Sequence, residues 1–297
     1  MQLTDNKIAS LAQFSEYLVP KDSCNLCGST DRTEWANDGF MTTYQCSACG
    51  LVYHGLQLTD TGREVFYASG YFELQNDPAD AQARDRMYEI EIGFLEKHAQ
   101  EGKILDVGCG GGFLLSKFGP QWEKYGIEFD QHAVDHAVSE LGLKVVQGEV
   151  NTVTFEPGMF DVIVLRGVIE HFAEPMVMMK HLAPWLKPGG LLYITSTPNA
   201  ESFCAELYRD KWNLYTADHQ IHFPKRTVIT TAKKLGCELL DSAYFYLETP
   251  YAQEMEDSRK IIADIDLLKK GKRDEVTTSP AFYGNMLSLV FRKNNES

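Results

Sequence analysis

The feature that most constrains this chain is the run Ile104-Leu105-Asp106-Val107-Gly108-Cys109-Gly110-Gly111-Gly112-Phe113. An apolar stretch ends in an acid, glycines crowd the next positions, and Leu114, Leu115 and Phe118 follow. That order predicts a buried strand, a tight turn and the start of a helix. Glycines suit such a turn because a side chain there would hold the backbone away from a bound ligand. The turn therefore predicts a nucleoside-containing ligand at the carboxyl end of the first strand of an α/β sheet.

The residues around the turn narrow that ligand. Phe113 stands where a dinucleotide site wants its third glycine or alanine. A carboxylate at Asp106 would repel phosphates and attract an ammonium or sulfonium, so the pattern favours a nucleoside with a cationic tail. Glu128 closes the second strand, a position from which a carboxylate accepts hydrogen bonds from ribose hydroxyls. Phe129 is placed to lie against adenine, and Glu149 or the backbone beside it to read the adenine amino group. Arg166, at the end of the fourth strand, is assigned to the same ligand.

Beyond the turn, strands and helices alternate. Strands are predicted at 103–107, 123–128, 143–147, 160–165, 191–196, 237–246 and 286–292. Helices are predicted at 79–99, 131–141, 175–186 and 227–235, with Lys187-Pro188-Gly189-Gly190 as a turn. The near-continuous hydrophobicity of three of these strands suits a parallel sheet covered on both faces, hence a doubly wound α/β domain. Residues 1–20 read as a short docking helix. Val65 to Phe72 is an aromatic linker or lid.

Near the N-terminus, Cys24-Asn25-Leu26-Cys27 and Cys46-Ser47-Ala48-Cys49 have the spacing of a four-cysteine zinc site. Each pair forms a knuckle that aims two sulfurs at one centre. With all four positions taken by sulfur, the expected role is structural. Gly28 and Gly50 follow the second cysteine of each knuckle and are expected to turn the backbone so that its N–H groups meet the thiolates. The intervening 34–45 stretch reads as a β-hairpin.

In order, Leu105–Gly112, Tyr125-Gly126-Ile127-Glu128, Phe160-Asp161-Val162-Ile163, Val168 to Pro175 with its Glu170-His171 pair, and Leu186-Lys187-Pro188-Gly189-Gly190 resemble the motifs of class I S-adenosylmethionine-dependent methyltransferases. The resemblance covers roughly residues 100–246. The Glu-His pair is similar to the subgroup acting on small molecules such as quinone precursors and sugars. The cysteine module, Leu51-Val52-Tyr53 and Tyr71-Phe72 resemble a subset with an N-terminal zinc module. The resemblance implies a Rossmann-like, seven-stranded, mostly parallel α/β sheet with helices on both faces, plus a small zinc ribbon. It implies that Asp106, Gly108, Gly110 and Glu128 hold S-adenosylmethionine and that Tyr71 covers it. The expected division is 1–55 for the ribbon segment, 56–100 for the linker or lid and helix, and 101–297 for the cofactor-binding domain, with an inserted helix near 251–275.

Methyl transfer to a hydroxyl or carbon acid is helped by a general base, and histidine has a suitable pKa. His171 follows the fourth strand. His219 and His222 lie in a His-x-x-His-Phe segment that the resemblance places over the cofactor edge. His219 or His222 is expected to be the base, with Glu170 and His171 shaping the site. The expected partner is a small-molecule acceptor methylated at O, N or C.

Composition bounds the competing readings. The formal net charge is -14 and the pI is ≈ 5.0, which disfavours nucleic acid or an anionic membrane as partner. No apolar run approaches the ~18 residues of a membrane span. The N-terminus shows no signal-peptide pattern, so a cytoplasmic protein is expected. Two other functions compete: an RNA or protein methyltransferase using the ribbon as a reader, and a non-catalytic cofactor-binding scaffold. Oligomeric state is left open.

Overall fold

The hairpin expected between the cysteine pairs forms, and it belongs to a larger unit. The computed structural model describes residues 8–68 and 78–295. A 3-10 helix at Ile8–Tyr17 leads into β1 (Leu18–Pro20). β2 (Arg32–Asn37) and β3 (Thr42–Cys46) make the antiparallel hairpin, and β4 (Val52–His54) pairs with β3. β5 (Leu56–Leu58) then turns back onto β1. The linker that follows holds a helix the sequence reading did not assign, α1 (Asp60–Ala68). α2 (Pro78–Leu95) precedes the main sheet.

That sheet comprises β6 (Gly102–Val107), β7 (Trp122–Glu128), β8 (Lys144–Gln147), β9 (Phe160–Arg166), β10 (Leu186–Pro198), β12 (Cys237–Ala243) and β13 (Met286–Lys293). Its order is β12-β13-β10-β9-β6-β7-β8, with β13 the antiparallel strand. From β6 the chain builds outward through β7 and β8, then crosses back to β9 on the other side of β6. The carboxyl ends of β6 and β9 therefore flank the point where strand order reverses, where α/β sheets bind ligands. The expected turn at 187–190 lies inside β10, as a break in register between Leu186 and Leu191. Gly189, at φ +75°, supplies the left-handed step that this break requires.

Helices cover both faces. On one face Leu105, Val107, Ile163, Leu165 and Ile194 pack with Met178, Met179 and Leu182 of α5 (Pro175–Leu182) and with Val228 and Ala232 of α7 (Lys225–Lys234). On the other, Ile104, Val162, Val164 and Tyr193 meet Tyr88 and Leu95 of α2 and Leu114 and Leu115 of α3 (Phe113–Lys117). Because side chains alternate along a strand, Asp106 shares the face of Ile104 and points toward α2. α4 (Gln131–Ser139) joins β7 to β8, with Asp130 capping it by accepting from His132 and Ala133 N–H. α6 (Phe203–Tyr208) and α8 (Glu254–Lys269) complete the fold. No helix among the described residues is long and apolar enough to cross a membrane.

The ribbon is joined to this domain by a strand. β11 (Ile221–His222), from the loop after β10, pairs antiparallel with β4, with Ile221 opposite Tyr53 and His222 opposite Val52. The ribbon sheet thus runs β11-β4-β3-β2. Cys24, Cys46, Leu51 and Tyr53 share one apolar core with Ile221, Phe223 and Val228.

Candidate functional site

Two cavities meet at the glycine turn. One, of about 600 Å³, lies on the Glu128 side, and its lining includes Glu128, Phe129, Glu149, Lys21, Leu58 and Arg63. The other, of about 520 Å³, lies on the Asp106 side and is lined by Tyr88, Glu91, Asp106, Arg166, His219 and Tyr246. Gly108, Gly110, Gly167 and His171 line both. Gly108 sits at φ +70°, and a Cβ there would come within 2.7 Å of Val168, so the turn has room only for glycine.

The two carboxylates at this junction are held differently. Glu128 Oε2 accepts from Gly110 N–H at 2.8 Å, and Oε1 accepts from Phe129 N–H at 2.8 Å and Asp130 N–H at 3.0 Å. Burial raises its pKa, and these three donors oppose the rise. Asp106 has no such donors. It is 3% exposed, its Oδ1 has no hydrogen-bond partner among the described residues, and burial pushes its pKa up to about 8. An orphaned, buried acid facing a cavity fits a ligand carrying positive charge. Phe129 is 37% exposed in the Glu128-side cavity, and Glu149 stands exposed at its rim.

Across the Asp106-side cavity, Arg166 is clamped. Its Nε donates to Glu91 Oε2 at 2.6 Å, and its guanidinium lies 4.7 Å from the Tyr88 ring centroid. Glu91 also accepts from the hydroxyls of Thr195 and Ser196. Ser196 takes φ +52°, an unusual conformation for a residue with a side chain. On α2 the chain buries Tyr88, Glu91, Ile92, Phe94 and Leu95, while Met87 and Ile90 are half-buried. A signal for Glu91 existed: it lies three and four residues from Tyr88 and Leu95, so it shares their apolar face.

The histidines separate in space. His171 and His219 line the cavity, with ring centroids 5.0 Å apart. His171 Nδ1 donates to the Asp218 carbonyl at 3.0 Å, and burial lowers its pKa to about 4. His219 Nδ1 donates to the Leu214 carbonyl at 3.0 Å, and its Nε2 is 3.9 Å from Asp218 Oδ2. Burial alone would raise the Asp218 carboxyl, but His219 and His171 beside it outweigh that and hold it low. Glu170, 1% exposed, is pushed up to about 7 by burial and accepts from Thr197. His222 is fully buried behind this group, stacked on Tyr215 and Trp35. Tyr71 lies outside the described residues.

The four cysteines converge. Cys24 and Cys49 sulfurs are 3.5 Å apart, Cys27 and Cys46 sulfurs 3.6 Å, and all four lie within 4.8 Å of one another. A tetrahedral zinc with Zn–S of about 2.3 Å sets its sulfurs at about 3.8 Å, so the donor set fits that ion. The knuckles close differently from expectation. Gly28 and Gly50 N–H groups donate to the carbonyls of Cys24 and Cys46. The residues after them, Ser29 and Leu51, give their N–H groups to the sulfurs of Cys27 and Cys49. The glycines shape the turn and the next residue serves the thiolate.

Residues 80–242 match a family described as a methyltransferase domain. The chain is 34% identical over 129 residues to a ubiquinone biosynthesis O-methyltransferase of Coxiella burnetii, covering 40% of this chain and 53% of that protein. It is 31% identical over 148 residues to the protein of the same name from Pectobacterium carotovorum, covering 46% and 60%. The chain therefore spans little more than half the length of these relatives. Among solved structures, a Burkholderia thailandensis 1,6-didemethyltoxoflavin-N1-methyltransferase, with S-adenosylhomocysteine bound, superposes with TM-score 0.52 at 13% identity, over 89% of this chain and 99% of that one. A SAM-dependent methyltransferase of Thermotoga maritima gives TM-score 0.54 at 15% identity, over 77% and 99%. With the family match spanning more than half of the chain, this protein belongs to the methyltransferase-domain family.

Proposed function

We propose that this chain transfers a methyl group from S-adenosylmethionine to an O, N or C atom of a small-molecule acceptor. The observation that carries the reading is the pair of cavities meeting at Gly108 and Gly110, with unlike carboxylates on either side. In this reading Glu128 holds the ribose and Phe129 and Glu149 lie along the adenine. Asp106 faces the cationic end, with Arg166 and Glu91 beyond it. The named activity of the Coxiella and Pectobacterium relatives supports a small acceptor.

The bound cofactor supplies an already activated methyl group, so the protein's part is positioning and proton removal. The acceptor occupies the Asp106-side cavity. His219 is the base: its Nδ1 proton is fixed on the Leu214 carbonyl, which leaves Nε2 to take a proton. Asp218 beside it stabilises the imidazolium that forms. Glu170 and His171 shape the wall. His222 packs behind this group, away from the cavity lining.

Cys24, Cys27, Cys46 and Cys49 hold zinc in a structural role. Elemental analysis should find about one zinc per chain, and Cys46→Ser should lose it with a fall in melting temperature of ~5 °C or more. Full retention of stability without the metal would refute that role. The enzymatic reading is tested with purified protein, cofactor and a metabolite mixture, by mass-spectrometric search for a product heavier by one CH2, about 14 Da. A product that disappears in Glu128→Ala supports it. Cofactor binding without any product across broad mixtures would favour a scaffold.

A further inference from the structure

The ribbon reaches the acceptor side through a chain of buried contacts that the proposed chemistry does not by itself require. His54, on β4, is fully buried, and neither of its ring nitrogens has a hydrogen-bond partner among the described residues. Keeping an imidazole there has a free-energy cost, since its polar nitrogens are buried without partners. What His54 does make is ring contact: 5.6 Å to His222 and 5.3 Å, edge-on, to Tyr215. Its backbone N–H donates to the Gln220 carbonyl at 3.0 Å, extending the pairing of β4 with β11.

His222 and His219 converge on one atom. His222 Nε2 donates to the Leu214 carbonyl at 3.3 Å, and His219 Nδ1 donates to that same oxygen at 3.0 Å. A carbonyl has two lone pairs, so both bonds can be held together, and together they fix where the oxygen lies. Tyr215, next in sequence to Leu214, is held on its other side by the Thr43 hydroxyl of the ribbon. A second tether leads from the ribbon to the His171 segment, where the Asn25 side chain donates to the Ala173 carbonyl at 2.7 Å.

We propose that the cysteine ribbon is a working part of the acceptor site, and that His54 is a positioning residue: by packing on His222 and Tyr215 it fixes the Leu214 carbonyl, and so the orientation and tautomer of His219. The inference rests on the assignment of His219 to the acceptor side. It explains why a buried strand position carries an aromatic ring with no polar partner: the ring acts by shape. It also gives the ribbon a task inside the enzyme, distinct from reading a macromolecule.

The test uses the full chain without acceptor, so it does not depend on knowing the substrate. Long-range nitrogen–proton NMR distinguishes the two imidazole tautomers, and the His219 signal is assigned by its loss in His219→Gln. The wild type should show His219 as the single Nδ1–H tautomer. His54→Ala should give a mixture of tautomers, with at least tenfold more of the Nε2–H form. His54→Phe, which keeps the ring volume, should restore the single tautomer. A single Nδ1–H tautomer in a folded His54→Ala protein would overturn the proposal, and so would a His54→Phe protein as disturbed as the alanine variant. Should His54→Ala fail to fold, His54→Leu gives the same reading with less cavity. Absence of cofactor binding would refute the methyl-transfer reading while leaving these tautomers unchanged, so the two failures are distinguishable.

Discussion

Asp106 and Glu128 lie near the carboxyl ends of adjacent parallel strands and are both buried, yet the fold treats them oppositely. Glu128 accepts three backbone N–H groups, drawn from the glycine turn and the start of the loop before α4. Its carboxylate is locked before any ligand arrives, and it ties the turn to β7. Asp106 has an oxygen with no partner among the described residues and a pKa pushed up to about 8 by burial. Glu128 is tied into the scaffold, and Asp106 is the acid that the proposed reading turns toward a cationic ligand. The difference follows from position. Glu128 stands at the last residue of its strand, where the next amides are not yet committed to a helix. Asp106 sits within β6, whose amides are spent on the neighbouring strands.

Replacing each acid should therefore act on different properties. Glu128→Ala leaves three part-buried backbone N–H groups without their acceptor. It should destabilise the fold by about 3 kcal/mol or more and weaken S-adenosylmethionine binding by ~100-fold. Thermal denaturation and calorimetry measure the two effects, and a variant that melts like the wild type would erase the proposed distinction. Asp106→Asn removes a buried acid of nearly the same shape. It should melt at the same temperature or higher, while affinity for the cationic cofactor falls by ~10-fold. A clear loss of stability would mean that Asp106 is a scaffold acid too.

How far these roles could be read beforehand depended on whether the signal was local. The turn at 108–112, the acid closing β7 and the paired cysteines each declare themselves within a few residues, because their chemistry needs fixed spacing. The alternation of strands and helices carried most of the main sheet for the same reason. The pairing of β11 with β4 was not legible: two residues form the strand, and their partner lies some 170 positions away. That pairing buries His222 while leaving His219 at the cavity, a distinction invisible in a His-x-x-His-Phe string. α1 went unread because Gly62 interrupts its pattern. The three-donor cradle of Glu128 was also hidden, since backbone amides leave no trace in residue identity.

Burial pushes the Asp106 carboxyl up from its ordinary 3.8 to about 8. Between those values the folded chain binds more protons than the unfolded one, so the Asp106 contribution to stability falls as pH rises from about 4 to about 8. A cationic ligand favours the ionised form and lowers that pKa. Affinity should therefore climb by up to tenfold per pH unit on approaching 8 and level off above it, with no such slope in Asp106→Asn.

The measurement that tests the account most directly is titration calorimetry with S-adenosylmethionine at pH 7, in two buffers of different ionisation heat. Comparing wild type with Asp106→Asn isolates the proton. One binding site per chain is expected, with release of a large fraction of one proton on binding to wild type and no release in the variant. No binding at all, or the same proton release from both proteins, would contradict it.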